Sequence, residues 1–181
     1  MSEKILVTFA TKYGSTQGVA ETIAGELRTK GFSTDLIPAR DVKSLDGYDA
    51  IVLGSPLYVG NILGDASRFL SRHKEALSHL PTAFFVLGPL DKTPKEMTDV
   101  QVQLDKVLNR MMWFKPVEIE IFTGALDFEK FRFPDSLLKI MMSASRDSNS
   151  SFRTHDGRDW DAIRAWADSL EGVLFKQPVS G

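Results

Sequence analysis

Cysteine is absent from the 181 residues, which excludes disulfides, thiolate nucleophiles, Cys-ligated zinc and iron–sulfur clusters. Imidazole is scarce. His73, His79 and His155 are the three histidines, and no two stand at the HExxH spacing of a catalytic zinc helix, so no metal is expected. No apolar run approaches the ~20 residues that span a bilayer. Met1 to Lys4 lead straight into a strand pattern with no basic leader, which reads as a cytoplasmic chain. Neither sign of charge is in large excess: 22 Lys and Arg face 24 Asp and Glu, a net of −2. That balance argues against nucleic acid as a partner and against a strongly acidic module that docks by steering. The sequence also lacks GxxxxGK[ST], GxGxxG and GxSxG, and with them a nucleoside-triphosphate loop, the dinucleotide fingerprint and a hydrolase nucleophile elbow.

What is present is the composition of one cored globular domain, 43% hydrophobic and 25% charged. Short apolar runs at 5–10, 32–37, 50–55, 82–87 and 117–123 read as strands. Helical spacing links them: Val19, Ala20, Ile23, Ala24 and Leu27 in a helix closed by Gly31, a helix over about 64–78, and one from Thr93-Pro94-Lys95-Glu96, a capping box, to about Met111. Gly18 and Gly25 share a face that could approach a sheet. A last helix starts near Asp159. Strands alternating with helices predict an α/β, doubly wound, five-stranded parallel sheet ordered 2-1-3-4-5, in a three-layer sandwich. The whole chain, 1–181, reads as a single domain with an insertion at about 124–154.

The most informative segment is Thr11-Lys12-Tyr13-Gly14-Ser15-Thr16-Gln17, between the first strand and the first helix. Hydroxyls, one glycine and a helix N-terminus are the parts of a phosphate cradle. Taken alone they also describe an ordinary N-cap. The third strand ends in Ser55-Pro56-Leu57-Tyr58-Val59-Gly60 and the fourth in Gly88-Pro89-Leu90-Asp91. In the expected sheet order these loops border the switch point beside the first. Phosphate at one end and apolar loops at the other make a slot for a flat aromatic ring.

On these residues the chain resembles the flavodoxin family: the Thr-x-x-Gly-x-Thr loop, the YDAIVLGSP strand and the Gly-bearing fourth-strand loop stand in that order. The resemblance implies flavin mononucleotide (FMN), with Thr11 to Gln17 around its phosphate and Ser55 to Gly60 and Gly88 to Asp91 beside its ring system. Trp113-Phe114-Lys115-Pro116, Gly124-Ala125-Leu126, the run Phe128 to Phe133, Leu137 to Met142 and Asp159-Trp160 are similar to a narrower group, the menaquinone-dependent protoporphyrinogen oxidases. That likeness implies an FMN oxidoreductase passing electrons from a reduced tetrapyrrole to a quinone. The alternatives are an electron carrier with no substrate of its own and a scaffold that has lost its flavin.

The stretch 57–62 carries no basic residue, so Arg132, Lys139, Arg146 and Arg153 are the candidate partners for a porphyrin's propionates; each can equally be a solvated charge. Between Glu129 and Arg153 five basic residues face three acidic ones, beside Phe131, Phe133 and the 137–142 run. Such a piece suits peripheral contact with the inner face of a membrane, a clamp on an amphiphilic substrate, or a cover for the sheet edge. His73 and His79 read as surface residues, and Met111, Met112, Met141 and Met142 as core filler.

Overall fold

The computed structural model describes residues 2–89, 92–126 and 155–175. Its elements are β1 (Lys4–Phe9), α1 (Ser15–Thr29), β2 (Ser33–Pro38), a 3-10 turn at Ala39–Asp41, β3 (Ala50–Tyr58), β4 (Asn61–Ile62), α2 (Gly64–Arg72), α3 (Lys74–Leu77), β5 (Thr82–Leu87), α4 (Pro94–Arg110), β6 (Glu118–Phe122), β7 (Ala125–Leu126), β8 (His155–Asp156) and α5 (Trp160–Leu174).

The five long strands pair in parallel in the order β2-β1-β3-β5-β6. Parallel neighbours need crossovers, and helices supply them. Side chains alternate across each strand, so Ile5, Val7, Val52 and Phe85 pack with α1 and α5. Leu6, Ile51, Leu53 and Phe84 pack with α2 and α4 on the opposite face. The sheet is therefore covered on both faces.

It differs from the expected five strands by one. β3 runs on through Pro56 to Tyr58, turns at Val59-Gly60 and returns as β4, antiparallel, with Leu57 opposite Ile62 and Tyr58 opposite Asn61. The Gly-Ser-Pro sequence looks like a loop, yet Pro56 lies opposite Leu87 in register at the sheet's end. β6 is the outer strand, where its alternation of Ile and Glu fits a half-covered edge.

Three further expectations are corrected. The helix over 64–78 is broken: α2 ends at Arg72, and His73, at φ −105 and ψ 18, separates it from α3. His73 is not a surface residue. It is 8% exposed, its ring lies 5.0 Å from that of Phe69, and burial pushes its pKa down, which favours the neutral imidazole. Gly18 and Gly25 do not bring α1 onto the sheet: a Cβ at Gly18 would lie 3.0 Å from Arg158 Nη1, and one at Gly25 would meet nothing within 4 Å.

Of the insertion expected at about 124–154, only Gly124 to Leu126 are among the described residues; Phe128 to Arg153 lie outside them. β7, in that short stretch, pairs antiparallel with β8, which follows the insertion, Ala125 opposite Asp156 and Leu126 opposite His155.

At the opposite end of the sheet Tyr48 Oη donates to Asp35 Oδ2 at 2.7 Å, and Lys4 Nζ sits 2.9 Å from the same oxygen. Burial, and then the Asp35 hydrogen bond, push the Tyr48 phenol up to about 12. A raised folded-state pKa means that this stability is fully present below the unfolded tyrosine's pKa of about 10 and disappears as pH rises toward 12. Tyr48→Phe is expected to lose about 1 kcal/mol near neutrality, since the bond is charge-assisted but half exposed. Urea unfolding of both proteins from pH 7 to 12 should show the gap closing across that window.

Candidate functional site

β1 lies between β2 and β3, and the chain leaves β1 for one face of the sheet and β3 for the other. The carboxyl ends of these two strands therefore border a crevice, where open α/β sheets bind ligands. The segment after β1 occupies one side. Gly14 holds φ +92, a left-handed conformation that glycine adopts without strain, and it stands at the N-cap of α1 with no side-chain cap. Its amide instead donates to Thr11 Oγ1 at 2.9 Å.

Thr16, in the first turn, is 0% exposed, and its Oγ1 has no hydrogen-bond partner within the chain. A buried orphan hydroxyl costs about 1–3 kcal/mol unless something meets it. No acidic residue stands in that turn. Amides, a hydroxyl and the helix dipole thus offer donors to an anion, and the residues present fit a phosphate group. Gln17 points elsewhere: its Nε2 donates to Glu21 Oε1 at 2.9 Å along the helix flank.

Lys12 joins this segment to the end of β3. Its ammonium lies 4.6 Å from the ring centroid of Tyr58 and 5.3 Å from that of Tyr13. Ser55 is turned inward: its Oγ donates to the Pro56 carbonyl at 3.0 Å and accepts the Leu63 amide at 3.1 Å. It secures the β3–β4 hairpin rather than lining the crevice. At the tip Val59 has φ +48 and is 76% exposed. A β-branched residue is strained there by roughly 1–2 kcal/mol, as happens at functional loops. Gly60 follows at φ +72.

The third loop leaves β5. The Gly88 amide donates to the Phe122 carbonyl at 3.0 Å, and the Pro89 carbonyl accepts the Gly124 amide at 2.8 Å. A Cβ on Gly88 would lie 2.7 Å from Val100 Cγ1. Leu90 and Asp91 lie outside the described residues. Lys92 Nζ then reaches Asp159 Oδ2 at 2.9 Å. The Ala162 amide and, after it, this ammonium hold the Asp159 carboxyl below the usual range.

Arg158 also reaches the first segment. Its Nη1 donates to the carbonyl of Ser15 at 3.2 Å, across 143 positions. Only the three-dimensional fold brings it to the first segment, and no local pattern announces it.

Residues 6–151 match the family of flavodoxin domains (Flavodoxin_5). The chain belongs to the flavodoxin domain family. A flavodoxin domain implies a flavin cofactor, and the crevice lies where α/β sheets of this kind hold one. Among solved structures, a flavodoxin from Streptococcus pneumonia TIGR4 superposes with a TM-score of 0.51 at 15% identity, covering 93% of this chain and 98% of that one. The Thermotoga maritima flavo di-iron protein reaches 0.54 at 15% identity, over 96% of this chain and 36% of its own. Both likenesses are of fold.

In sequence, the chain is 24% identical over 177 residues to the protoporphyrinogen IX dehydrogenase [quinone] of Escherichia coli K12, covering 96% of this flavodoxin domain protein and 97% of that relative. It is 27% identical over 183 residues to the protein of the same name from Leishmania major, covering 98% and 78%. Among the described residues no helix is long and apolar enough to cross a membrane, and no group of side chains is arranged to hold a metal.

Proposed function

We propose that this chain is an FMN-dependent oxidoreductase of the protoporphyrinogen oxidase kind, passing electrons from a reduced tetrapyrrole or a similar hydrophobic substrate to a quinone. The observation that carries the cofactor is the start of α1, with an uncapped Gly14 and a buried Thr16 hydroxyl that has no partner. Thr11, Lys12, Tyr13, Gly14, Ser15 and Thr16 hold the phosphate end. Pro56 to Gly60 and Gly88 to Asp91 flank the ring end, with Tyr58 placed by Lys12. Bound FMN would supply the electron transfer, and the protein supplies position and electrostatics. The substrate and acceptor are argued from the two relatives, whose likeness runs nearly the whole length of the chain.

The segment 127–154 is proposed as the contact for the hydrophobic substrate or for a membrane surface, since the residues flanking it, Leu126 and His155, are paired beside the third loop. A second reading, an electron carrier without a substrate, is favoured by one fact. By sequence the three loops hold no imidazole, and Asp91 is their single carboxylate, so they offer little acid–base chemistry.

Thr16→Ala and Thr11→Ala are each expected to weaken FMN binding by roughly tenfold or more, the loss of one hydrogen bond to a charged group. Riboflavin, which lacks the phosphate, should bind more weakly than FMN and be indifferent to both changes. Fluorescence titration of the flavin-free protein measures this, and riboflavin binding as tight as FMN's sinks the cradle. Steady-state oxidation of protoporphyrinogen with a quinone then decides between enzyme and carrier.

A further inference from the structure

Arg158 lies outside the loops that the sequence marks as cofactor-binding, yet its surroundings single it out. Its Nε and Nη2 fork onto Asp156, at 2.8 Å and 2.6 Å. Its Nη1, on the opposite side, donates to Ser15 in the first turn of α1. The guanidinium stacks 4.6 Å from the Trp160 ring centroid. Gly18 gives it room, because a Cβ there would stand 3.0 Å from Nη1. Five donors in a rigid fork are thereby held in one orientation.

The Ser15 carbonyl meets Nη1, but the helix dipole beneath it has the wrong sign for a cation. The start of a helix carries about half a positive charge and is stabilised by carboxylates. The first turn of α1 has no carboxylate and no cap, and a cation is presented to it instead. The ion pair with Asp156 does not cancel this, because the carboxylate lies on the far edge of the guanidinium and is the more exposed partner, 41% against 17%. The pair acts as a dipole whose positive end faces the helix start. An anion above the first turn would meet the orphan hydroxyl of Thr16, the helix dipole and the neighbouring guanidinium together.

We infer that Arg158 is the fixed positive charge of the phosphate site, a positioning residue that attracts a phosphate dianion to the start of α1 while the loop's amides and hydroxyls make the hydrogen bonds. This rests on the FMN reading and adds to it the charge that the loop's own donors lack.

The test uses the flavin-free full chain, with FMN and riboflavin titrated against wild type, Arg158→Gln and Asp156→Asn. Arg158→Gln should weaken FMN by roughly three- to tenfold and leave riboflavin unmoved. Asp156→Asn unmasks the guanidinium and should tighten FMN by about two- to fivefold, again without changing riboflavin. Both differences should shrink as salt rises, since the effect is screened. Should Arg158→Gln not fold, Arg158→Lys keeps the charge and should retain most of the FMN affinity.

If Asp156→Asn weakens FMN, or if FMN and riboflavin shift alike, the pair is a structural brace and the inference falls. Variants that leave FMN unmoved overturn it as well. Wild-type protein that prefers FMN to riboflavin while the variants do nothing overturns the inference alone. Wild-type protein that binds the two equally overturns the cofactor reading and the inference with it.

Discussion

Gly54→Ala is expected to cost about 3 kcal/mol or more, the upper end of what overpacking does, and to lower Tm by roughly 6–12 °C. A Cβ at Gly54 would stand 2.1 Å from Cζ of Phe85 and 2.6 Å from both neighbouring ring carbons. A ring tip at a surface could swing away. This one cannot, because Phe85 is 0% exposed and lies 6.0 Å from Phe122 and 6.0 Å from Trp166, centroid to centroid. Relief would need β3 to part from β5, with which Gly54 is paired at Phe85 itself. Because β3 also carries the proposed ring-flanking loop, flavin retention should fall with stability. Gly25→Ala is the control: nothing lies within 4 Å of a Cβ there, and alanine in a helix interior should add about 0.5–1 kcal/mol. Thermal melts of the two variants should move in opposite directions.

Leu138→Asp with Met142→Asp is expected to reduce quinone turnover by about a hundredfold or more while leaving the bound flavin's visible spectrum unchanged. In the proposed contact with a hydrophobic substrate, each carboxylate would cost about 1–3 kcal/mol or above when desolvated. β7 and β8 pair next to Gly124, whose amide is bonded to Pro89, while the Gly157 amide donates to the Gly124 carbonyl at 3.1 Å and Thr123 Oγ1 donates to the Gly157 carbonyl. Leu126 and His155, which flank 127–154, are therefore paired close to the third loop. That segment's excess of basic over acidic residues between Glu129 and Arg153, five to three, sits in a chain of net charge −2. Turnover with a quinone and co-sedimentation with anionic vesicles measure its role. Loss of flavin from the double variant would make the segment core packing, and unchanged turnover and vesicle binding would return the chain to the carrier reading.

The sheet was legible because its signals are local. β5 occupies Thr82–Leu87 as its six apolar-rich residues indicate. The Thr93 hydroxyl accepts the Glu96 amide at 3.2 Å as the capping box foretells. The helix start at Ser15 and the glycine before it were legible for the same reason, since they are contiguous. What escaped is what long-range packing decides. A two-residue strand such as β4 has no periodicity to read, and β7 finds β8 across nearly thirty residues. His73, with Lys74 beside it in sequence, looked solvated until Phe69 and the helix break enclosed it. Ser55 was expected at the crevice, but its hydroxyl turned inward to the Leu63 amide once β3 continued past it. Arg158 depended on α5 starting beside α1, which no window of sequence contains.

The open start of α1 has a bearing on how the protein lives without its ligand. Of the helices that begin at the carboxyl edge of the sheet, α4 is closed by Thr93 and α5 by Asp159, while α2 has Asp65 in its first turn. In α1 neither a cap nor an acidic residue completes the first turn. Local opening concentrates where backbone groups go unmatched, so the ligand-free chain should fray there first, from residue 11 into the helix. An anion bound to those amides becomes the missing end of the helix, and its free energy of binding adds to the closing of that turn. Retention of the cofactor and the integrity of the β1–α1 unit are then one equilibrium. Damage to the unit sheds the ligand, and scarcity of the ligand leaves the unit exposed to proteases.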